Sequence, residues 1–483
     1  MAPIFLLRME SAYLNTTGSI GLNTIYHSSE IHIESIQNPT TMVSHNINDF
    51  ERIRLCWVDI NGIRRAKTIP VDEYEYICGN GFGCANAVME ATLEPGLVDN
   101  AKYGPQSGDM LIIPDTESLK PIAWETDTAV VFSNATNIDG STFDLCTRTA
   151  LQNVVADLSD FGYNPSVGVE PEFSLLAPDE DGEWIPYNNC YSYDMDAIDK
   201  ANQLIKQWTN AMSTAGYDVI GVHQESQPGQ YEINIRHSDP LSTADGICFY
   251  RFMLKSTARR KGLKTSMMPR PYSSKDANGM HLHVSLWDGD QNIFSSENTN
   301  LAFPAGQRPE SYGFSETGRH FIGGIIEHMG ALTAICAPTV NSYKRLVPGN
   351  WAPTTIAWGA DNRSTAVRIP PELGDGTRIE YRVPDTSANP YLAIAATLAA
   401  GLDGIKKELD PGSPVVGETR TQDNEDLPRT LWSALNDLEA DDVLHNTLGK
   451  SLIDEFIRIK RHEFNRSQQQ VSEWERDSYL DSF

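Results

Sequence analysis

Residues 167–176 read VGVEPEFSLL. On an extended chain alternate side chains point to opposite faces, so Gly168, Glu170, Glu172 and Ser174 share one face, and Val169, Pro171, Phe173 and Leu175 share the other. Two carboxylates therefore stand about 7 Å apart on the same side of one strand. A strand with an apolar back and a doubly charged front buries one face, and leaves open what the two charges on the other face meet.

Three more segments follow the same rule. In GVHQESQPGQYEINIR, 221–236, Pro228-Gly229 signals a turn between two alternating runs. Counting outward from that turn pairs Gln227 with Gln230, Ser226 with Tyr231 and Glu225 with Glu232, and like charges directly opposed across a hairpin destabilise it. GMHLHVSLW, 279–287, sets His281, His283 and Ser285 against Met280, Leu282, Val284 and Leu286. TRIEYRVP, 377–384, sets Arg378, Glu380 and Arg382 against Ile379, Tyr381 and Val383.

Taken singly, each pattern is ordinary: a glutamate pair suits a solvated face, a histidine a structural bond, and Arg-Glu-Arg an ion-pair ladder. Together, five glutamates and a histidine on strands with apolar backs repel one another and are costly to desolvate unless divalent cations sit among them. Carboxylate-rich sites with one imidazole suit Mg²⁺ or Mn²⁺ rather than structural zinc. Arg345, Arg363, Arg368, Arg378 and Arg382 fall within 38 positions of an otherwise acidic chain. Guanidinium forks are natural partners of phosphate and carboxylate, so metals beside arginines suggest phosphoryl transfer from a nucleotide to an acid. GxxxxGK[ST], GxGxxG and kinase signatures are all missing, so neither a P-loop nor a dinucleotide fold explains the phosphates.

With 483 residues, 40% of them hydrophobic, the chain can bury a sizeable core as one large and one smaller domain. Its formal net charge of −27 argues against nucleic acid or an anionic membrane as partner, and fits either a strongly hydrated, salt-adapted surface or an ordinary acidic cytosolic enzyme. Seven scattered cysteines without CxxC spacing fit reduced thiols in the cytoplasm. No run approaches the roughly 20 apolar residues of a membrane span. Residues 1–43 read as a poorly ordered extension. ERIRLCWVDINGIRRAKTIP, from 51, reads as strand, Asn61-Gly62 turn and strand, opening a small β module over 44–140. A helix is expected in LCTRTALQNVVADLSDFGY, closing on Gly162, another in LIDEFIRIKRHEFNRS, and a large α+β domain over 145–483.

At this point the chain resembles the glutamine synthetase family. The matching stretches are WVDINGIRRAKTIP, VGVEPEF, HQESQPGQYEIN, GMHLHVSL, NSYKRLVPG, NRSTAVRIP and RIEYRVPDTSANPYLA, in family order over about 51–483. The resemblance implies an α+β fold, with an N-terminal β-grasp domain and a catalytic domain built on a curved antiparallel sheet with flanking helices. It also implies a homododecamer with active sites between subunits, and ATP-dependent ligation of an amine to the γ-carboxylate of L-glutamate through a γ-glutamyl phosphate. It assigns a first Mg²⁺ or Mn²⁺ to Glu172, Glu225 and Glu232, and a second to Glu170, His281 and Glu380. It assigns ATP to His283, Ser285, Arg363, Arg368 and Arg378, with Arg363 also offsetting developing charge. The glutamate carboxylates fall to Arg345 and Arg382, and the amine to Asp59 of a neighbouring subunit.

Three departures qualify it. The segment that reads PGxEAP in ammonia-using enzymes reads VPGNWAP here, with Trp351 in place of the glutamate that attracts and deprotonates ammonium. An indole is no base, but its face packs on alkyl chains and attracts cations, which points to an organic amine such as putrescine, another polyamine, an alkylamine or ethanolamine. GNWAP and WGADNRSTAVRIP are similar to the γ-glutamylpolyamine synthetase branch. NGSGMH becomes DANGMH, placing Asp276 and Ala277 on the acid side. Glu425 stands where some bacterial enzymes carry an adenylylated tyrosine. The competing readings are an ordinary ammonia-using glutamine synthetase and a non-catalytic homologue.

Overall fold

The computed structural model describes residues 46–94, 96–274, 276–296, 313–421 and 423–483. The extension expected over 1–43 lies outside them. Two sheets carry the strands. The first has six strands: β1 (Arg52–Val58), β2 (Arg64–Pro70), β3 (Phe82–Ala85), β4 (Asp109–Pro114), β5 (Lys120–Pro121) and β6 (Thr128–Thr136). They run in the order β2-β1-β6-β4-β3, with β5 on β6. β1 and β2 form the hairpin expected around Asn61-Gly62, and Val58 faces Arg64 across it. β1 lies parallel to β6.

The second sheet has ten strands: β7 (Asn164–Pro178), β8 (Trp184–Pro186), β9 (Val219–Gln224), β10 (Gln230–Ile235), β11 (Lys264–Ser266), β12 (Met280–Asp288), β13 (Gln291–Asn292), β14 (Trp358–Ala360), β15 (Val367–Ile369) and β16 (Ile379–Tyr381). Its main path is β14-β15-β16-β12-β7-β10-β9. The sheet is antiparallel as expected, with one parallel pair, β14 with β15, at its edge.

Helices pack against both sheets and against one another. Along the chain they are α1 (Tyr74–Asn80), α2 (Thr147–Asp160), α3 (Met195–Thr214), α4 (Pro240–Arg259), α5 (Glu316–Glu327), α6 (Met329–Cys336), α7 (Pro390–Lys407), α8 (Leu431–Glu439), α9 (Asp442–Leu448), α10 (Lys450–Gln468) and α11 (Glu473–Tyr479). α2 buries Ala150, Leu151, Val154 and Leu158, the stripe its helical spacing dictates. α7 starts where the Asn389 side chain accepts from the backbone N–H groups of Tyr391 and Leu392, with Pro390 at the first helical position. α5 and α7 touch backbone to backbone: a Cβ on Gly404 would lie 2.1 Å from His320 O, and one on Gly324 would lie 2.0 Å from Ala400 O. Only glycine permits that approach.

One buried apolar cluster runs from Ile53, Leu55, Val131 and Phe132 of the first sheet to Val169, Phe173, Leu282 and Val284 behind the second, and on to Phe321, Ile394 and Leu398. A buried ionic joint ties the two sheets together. Arg148 on α2 donates to Asp245 on α4 at 3.1 and 2.9 Å, to Asp115 at 2.7 Å and to Asn134 at 3.0 Å. All seven cysteines are free thiols. No described helix is long and apolar enough to cross a membrane.

Candidate active site

Strand register assembles the site. Glu232 on β10 faces Glu172 on β7, Glu170 on β7 faces His281 on β12, His283 faces Glu380 on β16, and Glu380 faces Arg368 on β15. Because side chains directly opposite one another stand on the same face, five strands deliver one continuous row of acids, imidazoles and guanidinium groups. Their neighbours Met280, Leu282, Val284, Ile379 and Tyr381 are fully buried on the other face.

Two groups in this row bring their donor atoms within 4.8 Å of one another: Glu170, His281 and Glu380, and His223, Glu225 and Glu232. In the first, His281 Nδ1 lies 3.5 Å from Glu170 Oε2 and 3.4 Å from Glu380 Oε1. In the second, His223 Nε2 lies 2.6 Å from Glu225 Oε1 and 3.8 Å from Glu232 Oε1.

Burial and neighbouring charge divide these carboxyls. Burial raises Glu232 far above the usual carboxylate range, reinforced by Glu170, Glu172 and Glu225. Burial, then Glu225, pushes Glu172 up to about 8. Burial also acts on Glu380, but Arg382 and His281 outweigh it and hold the group at about 2. His281 and His283 likewise hold Glu170 below its usual range against burial. The hairpin group is thus the electrostatically poorer one, with three carboxyls nearby and a single imidazole.

The donors present fit divalent cations. His281 Nε2 is buried without a hydrogen-bond partner. A Cβ added to Gly279 would fall 2.9 Å from that nitrogen, 2.9 Å from Arg345 Nη2 and 3.2 Å from Glu172 Oε1. Gly279 therefore keeps open a space into which an imidazole, a guanidinium and a carboxylate all project. Oxygen-rich donors with one imidazole each are the chemistry of Mg²⁺ and Mn²⁺.

The structure brings most of the expected arginines to the same place. Arg368 binds Glu380 at 2.6 Å and Asp361 at 2.7 Å. Arg378 Nε donates to His283 Nδ1 at 3.1 Å, and Ser285 Oγ accepts from Trp287 Nε1 at 2.9 Å. Arg382 Nη1 donates to Glu380 at 2.5 Å, and its Nη2 to the backbone oxygen of Trp351 at 3.2 Å. Arg345 is 2% exposed and anchors on the carbonyls of Val383 and Arg382 at 2.7 and 3.0 Å. Trp351 itself is 73% exposed. It lines an open cleft of about 620 Å³ together with Arg363, Asp361 and the 415–420 segment.

Asp59 is placed apart. It sits in the β1–β2 turn, 0% exposed, paired with Arg65 at 2.8 Å and accepting from Ile63 N at 2.9 Å. Burial pushes its carboxyl up to about 6 against the pull of Arg65. Its backbone oxygen accepts from Asn389 Nδ2 at 2.9 Å, so the cap of α7 fixes this turn.

One expectation is corrected. Glu225 does not pair with Glu232. The register sets Glu232 opposite His223 and Tyr231 opposite Gln224, so the hairpin is shifted by two residues and Glu225 lies in a longer turn. An L-Pro-Gly pair does not favour the primed turns of two-residue loops, and the longer turn relieves the direct opposition of two carboxylates. The shift keeps both glutamates on one face. It also brings in His223, which was missed although it stands two residues before Glu225 and so shares its face. Glu172, expected beside Glu225 and Glu232, faces Glu232, but its Oε2 is engaged by Gln230 Nε2 at 2.7 Å and Gly279 N at 2.8 Å.

Comparison with known proteins accounts for this arrangement. Residues 144–479 match the family model described as glutamine synthetase, catalytic domain. The glutamine synthetase of Halobacterium salinarum is 34% identical over 446 residues, 89% of this chain and 94% of that protein. That of Methanococcus maripaludis is 35% identical over 450 residues, 90% and 97% of the two chains. Among solved structures, a GmaS/ADP complex matches with a TM-score of 0.80 at 34% identity, covering 90% of this chain and 97% of that one. A structure described as a novel glutamine synthase homolog matches at 0.76 and 28%, covering 87% and 96%. The chain belongs to the glutamine synthetase family and is a carbon–nitrogen ligase of the glutamate–amine type.

Proposed function

We propose that this ligase joins an organic amine, such as putrescine or another polyamine, to the γ-carboxylate of L-glutamate at the expense of ATP. The observation that carries the reading is Trp351, an exposed indole on the cleft that also holds Arg363. It stands where an ammonia-using relative needs a carboxylate. An indole face offers packing area for an alkyl chain and about 0.5–2 kcal/mol of attraction for a cation. The likeness to GmaS, a γ-glutamylmethylamide synthetase, supports an amine larger than ammonia. The curated relatives named glutamine synthetase favour the second reading, ammonia as the amine.

In this proposal Glu170, His281 and Glu380 hold one Mg²⁺ or Mn²⁺, and Glu225, Glu232 and His223, with Glu172 beside them, hold another. Bound cations would supply the positive charge that lets ATP phosphates and a glutamate carboxylate approach one another. His283, Ser285, Arg368 and Arg378 hold the nucleotide, while Arg363 faces the transferring phosphate. Arg345 and Arg382 orient glutamate, with Arg345 rigid because its fork is already anchored on two carbonyls. Phosphorylation turns an inert carboxylate into an acyl phosphate that a neutral amine attacks. Asp59, with its carboxyl raised to about 6, is suited to accept the proton an ammonium must lose. The same reading takes 44–140 as a β-grasp domain, 145–483 as the catalytic domain, and the assembly as a dodecamer in which Asp59 serves a neighbouring site.

The test is an ATP-hydrolysis-coupled assay over ammonium, methylamine, ethanolamine, putrescine and longer polyamines. The proposal expects an organic amine to give the highest kcat/KM. Equal or better turnover with ammonium than with every organic amine would reject it in favour of the second reading.

A further inference from the structure

The β9–β10 hairpin leaves its ladder at Glu225, whose backbone N–H donates to Gln230 O at 2.9 Å. Beyond that rung lie Ser226, Gln227, Pro228 and Gly229, closed by a bond from Gln230 N to Gln227 O at 3.0 Å. Among the six close-set donors, Glu225 is the one at the mouth of a turn rather than within a strand. Its placement depends on what holds that turn.

Asp276 holds it. Ser226 Oγ donates to Asp276 Oδ2 at 2.7 Å and Gln227 Nε2 donates to the same oxygen at 2.9 Å. Ser226 also directs its backbone N–H at Glu225 Oε2, at 3.2 Å, so fixing Ser226 fixes the carboxylate beside it. The residues after Asp276 continue the stitching. Ala277 O accepts from Gln230 Nε2 at 3.1 Å, Asn278 Nδ2 donates to Ser174 Oγ at 3.1 Å, and Gly279 N donates to Glu172 Oε2 at 2.8 Å. This short segment thereby ties the hairpin turn to β7 just before the chain reaches His281.

We infer that Asp276 is a positioning residue for the hairpin cation group, acting through Ser226 and Gln227 on Glu225. A carboxylate oxygen accepts two donors more strongly than a neutral amide oxygen does. Partners that orient a metal-binding side chain are worth about 10- to 100-fold in metal affinity. The inference rests on the reading that His223, Glu225 and Glu232 hold a divalent cation.

Mn²⁺ binding to the nucleotide-free full chain, followed by calorimetry, tests it alongside the melting temperature and steady-state kinetics. Asp276→Ala is expected to weaken one class of Mn²⁺ site about tenfold or more and to raise the Mn²⁺ concentration needed for half-maximal activity, with KM for glutamate changing less. Asp276→Asn, which keeps an acceptor oxygen but not the charge, is expected to recover part of the affinity. The double variant Ser226→Ala/Asp276→Ala should be no weaker than Asp276→Ala, since both remove one linkage. If Asp276→Ala fails to fold, Ser226→Ala and Gln227→Ala each remove one donor and should each weaken the same class of site. Mn²⁺ affinity within twofold of wild type in every folded variant overturns the inference. Absence of Mn²⁺ binding by the wild-type chain would instead overturn the cation reading beneath it.

Discussion

Trp351 and Gly279 are the two residues whose chemistry is most readily separated by substitution. Replacing Trp351 with alanine removes the indole face while its backbone oxygen stays available to Arg382. KM for an organic amine should then rise about 2- to 30-fold, the range that 0.5–2 kcal/mol of cation–π attraction sets. Trp351→Glu should move preference toward ammonium, read as the ratio of kcat/KM values for the two amines. Gly279→Ala places a methyl group against His281, Arg345 and Glu172, so Mn²⁺ affinity should fall by about tenfold or more, checked by calorimetry. At this scale the sequence was informative where alternation exposes a face: Glu170, Glu172, Glu232, His281 and Glu380 lie on the row that period-two reading puts them on. His223 carries no such signal of its own, since a lone histidine on a strand reads equally well as a structural one. The anchoring of Arg345 on two carbonyls depends on a close approach between distant segments, which no local pattern encodes.

Among the elements, the joint between α5 and α6 carries a charge the catalytic row does not use. His328 at that joint places Nδ1 2.7 Å from Asp441, the cap of α9, and Nε2 3.0 Å from Asp403 on α7. A neutral imidazole has one N–H, so two carboxylate contacts require the imidazolium. Burial works against that charge, but the bonds from Asp441 and Asp403 outweigh it and raise the group's pKa. Lys407 pairs with Asp403 at 2.9 Å. Nearby Asp437 on α8 has its own carboxyl raised by burial. The stabilisation is fully present below the unfolded pKa of about 6.5 and is lost as pH rises through the raised folded value. Thermal melts at several pH values should show His328→Gln costing about 3 kcal/mol in the acid range and less as pH rises, whereas a pH-independent difference would contradict the imidazolium. No local sequence pattern encodes this triad, because His328, Asp403 and Asp441 are far apart in the chain. Helices α2 and α10 are legible from their apolar stripes, while the hairpin register is not, because a turn that resists two-residue geometry settles its length by tertiary contacts.

For the whole molecule, cation binding and surface charge make separable predictions. Two groups of buried and half-buried carboxyls and imidazoles favour the folded chain when divalent ions bind it, so Mn²⁺ at about 100 times its dissociation constant should stabilise it by about 2.7 kcal/mol per site, and EDTA should reverse the rise in Tm. A net charge of −27 repels itself at low ionic strength. Tm should therefore climb with added KCl, and a requirement for molar salt would support the hydrated acidic surface over the ordinary one. The family was legible from seven spaced motifs, since each is half core and half site. The number of copies in an assembly is not written in side-chain period. The proposal that Trp351 directs this ligase toward organic amines is tested in competition. The enzyme, with ATP, Mg²⁺ and glutamate, is given equimolar ammonium and an equimolar mixture of organic amines, and products are resolved by mass spectrometry. A γ-glutamyl amide of an organic amine is expected as the main product; glutamine as the main product would show that ammonia is the preferred amine and overturn the role given to Trp351.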